Sequence, residues 1–365
     1  MRVEAVDLVV VPMRLSTPLR SAAGERTHRE VLLVHVRSAE ADGWAECVVE
    51  PEPTYAPEFT EAAIVVLRDH LLPRAGAGPM GDAIALGPHL DTVRGHPMTR
   101  AALELAVLDA QLRAAGLSLG HWLGATATSV HPGAALGLHD DIDDLLAEAD
   151  EALAAGAARL RVKIAPGRAA GHVEALRAHV GPAVLLQADA NGSFEEADRE
   201  LDRLDGLGLA CLEQPLAPTD LLGHARLAAR LDTPICLDEP LTSLDAVETA
   251  IAVGACEVVC LKPARVGGWI AARDVHDRCA ELGIPIWVGG MLETGLGRAA
   301  NLAVAALPEV ALPPDLDPRG RYHRDLADPC LPVDGAVLVP QGPGTGAVPA
   351  LAEHTDARVV TGWRP

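Results

Sequence analysis

The chain has 365 residues, is 49% hydrophobic but only 2% aromatic, and carries a formal net charge of −21. That length accommodates a βα-barrel of roughly 250 residues and leaves about a hundred for a second unit, and the core must be built from Ala, Leu and Val. The charge argues against nucleic acid or an anionic membrane surface as a partner.

The first residues lack a signal-peptide pattern and no run reaches ~18 apolar residues, so a cytoplasmic protein is expected. Seven scattered cysteines, with no CxxC pair, read as buried reduced thiols rather than a zinc site.

Residues 3–12 and 30–37 read as strands. The polar segment between them, 18–28 with Gly24, reads as a loop long enough to act as a lid. A third strand is expected at 43–49. Helical periodicity follows at 58–71 and at 98–116, the latter ending on Gly116 as a C-cap. These elements form an α+β unit.

From about Val130 strand and helix alternate. A strand or its exit loop at 130–138 precedes an acidic amphipathic helix at 140–157. Strands follow at 158–164, 183–189, 209–215, 233–240, 256–263 and 284–290, with a possible last one at 309–313. Seven or eight parallel strands with both faces covered imply a closed barrel. The predicted architecture is therefore α/β: a (β/α)7β-type TIM barrel over 128–313 and an α+β capping domain over 1–127. The Pro- and Gly-rich tail, 314–365, is expected to pack back on the capping domain.

Five of these strands end on a residue able to do chemistry: Lys163, Asp189, Glu213, Asp238 and Lys262, spaced 24 to 26 residues apart. That is the length of one strand–loop–helix–loop unit, so a single position is sampled repeatedly, the C-terminal end of successive parallel strands. Catalytic residues converge there in a barrel. As the ends of the second to sixth strands, the two lysines face each other across the mouth, with the carboxylates on the arc between them. One acid at a strand end is commonly a loop cap; three in phase between two in-phase lysines form a set.

Three converging carboxylates need a cation. Hard oxygen ligands with open positions suit Mg²⁺, with Mn²⁺ as a substitute. Such a metal accepts a small carboxylate substrate and stabilises the enediolate left when its α-proton departs. A lysine made neutral by the nearby cations acts as base. Asn191, two beyond Asp189, shares its direction and can reach the metal's hydration shell or the substrate. Glu239 points to the other side of its strand end and supports the loop. The pairs Gly267-Gly268 and Gly289-Gly290 let backbone approach a ligand.

These segments resemble the enolase superfamily, in its muconate-lactonising subgroup. KIAPG at 163–167, DANGSF at 189–194, LEQPL at 212–216, LDEPLTS at 237–243, LKPARVGG at 261–268 and VGGMLETGLGRAAN at 288–301 are similar to the o-succinylbenzoate synthase and N-succinylamino acid racemase family. So are PLRSAAG, GWAECV and PTYAPEF in the N-terminal part. The resemblance implies that Asp189, Glu213 and Asp238 ligate the metal, that Lys163 is the base and Lys262 its opposing lysine, and that Gly290 and Met291 line the substrate pocket. A homo-oligomer is expected.

Two positions depart from the family pattern. Arg161 replaces the first lysine of a Lys-x-Lys; it keeps the charge, is no base, and is placed to orient Lys163. Ala135 stands where a serine is usual, which alters how a succinyl group is held. The expected reaction is syn dehydration of 2-succinyl-6-hydroxy-2,4-cyclohexadiene-1-carboxylate to 2-succinylbenzoate, a step of menaquinone synthesis. Lys163 takes the α-proton and returns it to the departing hydroxide, while Lys262 stabilises the anion. The rival is racemisation of N-succinylamino acids, which uses both lysines. Another cycloisomerase or epimerase of the subgroup, and a catalytically silent metabolite-binding barrel, are the further alternatives.

Overall fold

A computed structural model describes residues 1–22 and 24–364; Ala23, within the expected lid, lies outside the described residues. The N-terminal unit begins with an antiparallel meander of β1 (Val3–Ser21), β2 (Gly24–Ser38) and β3 (Gly43–Cys47). The segment expected to be a loop is instead the tip of a long hairpin: Leu19 pairs with Arg26, Arg20 with Glu25 and Ser21 with Gly24, beyond an irregularity after Arg14. Its polar composition suggested a loop, but an antiparallel ribbon satisfies its own backbone and needs no core on either face. The tip rests on the barrel through Leu138 N donating to Arg20 O at 2.9 Å.

Helices α1 (Thr60–Val66), α2 (Leu72–Gly76), α3 (Ala83–Leu90) and α4 (Pro97–Ala115) follow, with one π turn (Leu67–Leu71) between α1 and α2. Gly116 ends α4 in the left-handed region at φ 68°, as its sequence position predicted. Helix α4 is buried on nearly every side, from Met98 to Leu112, because it lies between the sheet and the barrel. Gly43 permits this approach: a Cβ there would fall within 2.7 Å of the Ala110 side chain. A short α5 (Leu119–Leu123) and β4 (Ser129–Val130) lead into the barrel.

The barrel sheet is parallel, with β5 (Gly133–Leu136), β6 (Arg159–Lys163), β7 (Leu185–Asp189), β8 (Leu212–Glu213), β9 (Ile235–Leu237), β10 (Val258–Leu261) and β11 (Ile286–Val288) in consecutive order. Its helices are α6 (Ile142–Ala154), α7 (Ala169–Val180), α8 (Arg199–Leu204), α9 (Leu221–Ala228), α10 (Leu244–Ala252), α11 (Trp269–Leu282) and α12 (Gly295–Ala305). Side-chain caps start several of them; Asp141, Asp220 and Ser243 each accept from a backbone N–H in the first turn.

The eighth position is filled without a regular ladder. Ala311 N donates to Ile286 O at 2.8 Å, Asp315 N to Val288 O at 3.0 Å, and Gly133 N to Pro314 O at 2.8 Å. Segment 309–315 thus stitches β11 to β5. Pro313 and Pro314 carry no N–H, so they cannot extend a strand ladder. The tail then contributes β12 (Val337–Leu338), paired with β4, and β13 (Arg358–Trp363), antiparallel to β1 at the far edge of the N-terminal sheet. Among the described residues no helix is long and apolar enough to cross a membrane.

Candidate active site

Alternation along each short strand decides what faces the barrel interior. On β6 the inward set is Arg159, Arg161 and Lys163, and all three are buried. Registers place Lys163 beside Asp189 and Asp189 beside Glu213. The lower interior is closed by Cys211, Cys236, Val258, Cys260 and Trp287. Arg159 lies 4.2 Å over the Trp287 ring and donates to Asp315 Oδ1 at 2.7 Å.

At the mouth the five in-phase residues come together as two clusters. In the first, Lys163 Nζ donates to Asp189 Oδ2 at 2.5 Å and to Asn191 Oδ1 at 2.8 Å. Asn191, at φ 44°, donates its amide to Glu239 Oε1 at 3.0 Å, so Glu239 acts on the lysine through Asn191. Burial pushes Glu239 up to about 7, with Asp238 adding to the effect. Arg161 reaches over the same acids: Nη1 bonds Asp189 and, at 3.2 Å, Glu213 Oε2, while Nη2 bonds Asp315.

In the second cluster Lys262 Nζ donates to Asp238 Oδ2 at 2.8 Å and to Tyr55 Oη at 3.1 Å. Tyr55 in turn donates to Asp238 Oδ2 at 3.0 Å. Arg265 bonds the other Asp238 oxygen and donates to Tyr55 Oη at 2.7 Å. Burial works against the charges here, yet Arg265 and Lys262 together hold Asp238 well below the usual carboxylate range. Asp238 and Tyr55 likewise hold Lys262 above its ordinary value despite its burial. The sheet order sets Lys163 and Lys262 four strands apart, on opposite sides of the mouth.

The donor chemistry fits a divalent cation. Among the described residues, ligand atoms of Glu213, Asp238 and Cys260 lie within 4.8 Å of one another. Burial raises the Cys260 thiol, and the carboxylate oxygens of Glu213 and Asp238 are the hard donors that suit a divalent cation. Glu213 is pushed up to about 8, chiefly by burial; Arg161 opposes the shift, and the charges of Asp189 and Asp238 reinforce it. A fully buried carboxylate in that state, between two further buried acids, is a site short of positive charge. Glu213 and Asp238 would hold the ion; Asp189, paired with Lys163 and Arg161, is not in that group of three.

Above the acids opens a cleft lined among others by Ala135, Lys163, Asn191, Lys262, Gly290 and Met291. Gly24 turns the hairpin at φ 116° and does not line the cleft; Leu19, Ser21 and Arg26, on the hairpin arms, do. Glu239 is also absent from the wall, as its indirect contact requires. Sequence reasoning missed Tyr55, Arg265, Asp315 and Arg298. Tyr55, Arg265 and Arg298 lie inside the motifs PTYAPEF, LKPARVGG and VGGMLETGLGRAAN, outside the recurring strand-end position. Asp315 sits in the irregular eighth segment, where no period points to it.

Fold and site together define a capped βα-barrel enzyme with a buried acidic centre between two lysines. The chain belongs to the enolase superfamily: residues 144–353 match the family described as Enolase C-terminal domain-like. It is 44% identical over 367 residues to an N-succinylamino acid racemase of Amycolatopsis sp, covering 99% of this chain and 100% of that one. It is 38% identical to the o-succinylbenzoate synthase of Geobacillus kaustophilus, covering 94% of this chain and 92% of the relative. An enolase-superfamily structure from Listeria innocua superposes with a TM-score of 0.93 at 32% identity, covering 100% and 98% of the two chains. A muconate lactonizing enzyme from Pseudomonas fluorescens, 23% identical, shares the fold with a TM-score of 0.91 and 97% and 99% coverage.

Proposed function

We propose that the protein is an o-succinylbenzoate synthase: it removes the α-proton from a cyclohexadiene carboxylate bearing a succinyl group and expels the adjacent hydroxyl on the same face. The observation that carries this reading is Lys163 at the mouth of the barrel, its Nζ held by Asp189 and Asn191 beside the cleft. Full-length relatives named for that activity support it. A divalent cation, Mg²⁺ in this proposal, would take over the negative charge now paired with Lys163 and Arg161, receive the substrate carboxylate, and stabilise the charge that grows on it as the proton leaves.

The chain's own groups do the rest. Lys163, unprotonated, accepts the α-proton: the C–H bond breaks and its electrons move towards the carboxylate. The same ammonium then gives that proton to the leaving oxygen as the C–O bond breaks, so one water leaves and the ring becomes aromatic. Asn191 and Glu239 fix the direction of Nζ. Lys262, kept charged by Asp238 and Tyr55, stabilises the anion from the opposite side.

A second reading, racemisation of N-succinylamino acids, is favoured by that second lysine across the mouth and by the 44% identical relative named for it. A side-by-side assay on the cyclohexadiene carboxylate and a panel of N-succinylamino acids separates the two. In D₂O, Lys163→Ala is expected to lose both dehydration and α-deuterium uptake. Dehydration surviving in that variant overturns the assignment of Lys163. Lys262→Ala is expected to abolish racemisation.

A further inference from the structure

The cleft wall carries six cationic side chains: Arg26, Arg161, Lys163, Lys262, Arg298 and Arg321. Five of them have a carboxylate partner. Arg26 pairs with Glu50, Arg161 with Asp189, Glu213 and Asp315, Lys163 with Asp189, Lys262 with Asp238, and Arg321 with Asp317. Among the described residues, no carboxylate lies within 4.0 Å of Arg298.

Arg298 sits in the first turn of α12 and is 4% exposed. Its Nη2 donates only to backbone carbonyls, Asp317 O at 3.2 Å and Cys330 O at 3.3 Å. Its Nε is buried without a partner. Burial pulls this guanidinium below its ordinary value, the opposite of Arg29, Arg161 and Arg265, which acids or a tyrosine stabilise. A buried guanidinium with an unused donor and no counter-ion is a costly arrangement unless an anion completes it. The neighbouring carboxylate, Asp317, is already occupied by Arg319 and Arg321.

We propose that Arg298 is the seat for the second, distal carboxylate of the substrate, so that the cleft selects dicarboxylates whose one acid group goes to the Lys163–Lys262 centre and whose other reaches α12. This inference rests on the proposed function for the nature of the arm, a succinyl chain. Arg321, paired with Asp317, flanks the seat and adds positive field.

The test is equilibrium binding, measured calorimetrically on the Mg²⁺-loaded protein with two probes. These are 2-succinylbenzoate and 2-butanoylbenzoate, in which a methyl replaces the distal carboxylate. The wild type is expected to bind the succinyl compound ~100-fold more tightly, the effect of two charge-assisted hydrogen bonds. Arg298→Met should erase that preference and leave the butanoyl compound within about threefold of wild type. Arg298→Lys, which keeps the charge but loses the fork, should retain about a tenth of the preference.

Equal weakening of both probes in Arg298→Met overturns the proposal, because Arg298 then only ties the backbone at Asp317 and Cys330. So does a preference that survives in Arg298→Met, or a wild type that binds both alike. If Arg298→Met does not fold, the wild-type preference and its fall in Arg298→Lys decide. Turnover is measured separately: a wild type that prefers the succinyl probe but converts no succinyl substrate refutes the proposed activity and leaves the seat standing.

Discussion

Replacing Gly289 by alanine adds one methyl group at the end of β11, with its centre 2.5 Å from Cys260 Sγ, 2.8 Å from Lys262 Cε and 3.1 Å from Lys262 Cγ. The backbone at Gly289 is not in the left-handed region, so the substitution tests space alone. Both neighbours are buried, and Lys262 is anchored at its far end by Asp238 and Tyr55. Relieving these contacts requires the lysine stem to move by roughly 1 Å, a displacement that can cost ~100-fold in rate at a reacting group. The overpacking itself is worth about 1–3 kcal/mol of stability.

The two effects separate in a double variant. Cys260→Ala removes the tightest contact, so Cys260→Ala/Gly289→Ala should regain much of the melting temperature. It leaves the Lys262 contacts in place, so α-proton exchange of N-succinylamino acids in D₂O should stay depressed. Full exchange activity in Gly289→Ala, or activity that returns together with stability in the double variant, would refute the claim that the glycine makes room for Lys262.

Asp238→Asn is expected to abolish Mg²⁺ binding by calorimetry together with turnover; normal turnover would overturn its assignment as a ligand. The same change leaves Lys262 and Arg265 buried with no full counter-charge, so the melting temperature should also fall. Tyr55→Phe removes the hydroxyl that accepts from both Lys262 and Arg265, and should lower kcat by ~10-fold or more with a smaller change in KM.

Glu104, on α4, accepts from Trp269 N at 2.8 Å at the start of α11, and burial pushes its carboxyl up to about 7 despite that bond. A raised acid favours the folded state while it is protonated. Its contribution is therefore complete below pH 4.5 and is lost as pH rises through 7, a swing of ~3 kcal/mol. Glu104→Gln should flatten the pH dependence of urea midpoints between pH 5 and 8, and an unchanged slope would show that other groups set it.

The recurrence of Lys163, Asp189, Glu213, Asp238 and Lys262 was legible because a parallel barrel returns the chain to one rim at a nearly constant interval. Period-2 alternation then points the same residue of each strand inward, so the arc of acids between two lysines could be drawn without coordinates. Asn191 was legible for the same reason, being in step with Asp189. The hairpin tip was misread as a loop because its polarity reflects exposure, and exposure does not distinguish a coil from a ribbon that pairs with itself.

What the chain alone could not show lies where local pattern and spatial neighbourhood part company. Tyr55 reaches Asp238 from a loop of the other unit, 183 residues away in sequence. Asp315 enters through a segment whose prolines erase any strand signal, and Arg298 lies on a helix face that reads as ordinary periodicity. Strand repeats decide where acids and lysines converge, because hydrogen-bonded registers are local and repetitive. Which cation keeps a partner and which is left waiting for a ligand is decided only in the folded molecule, because ion pairing depends on distances set by packing between distant segments.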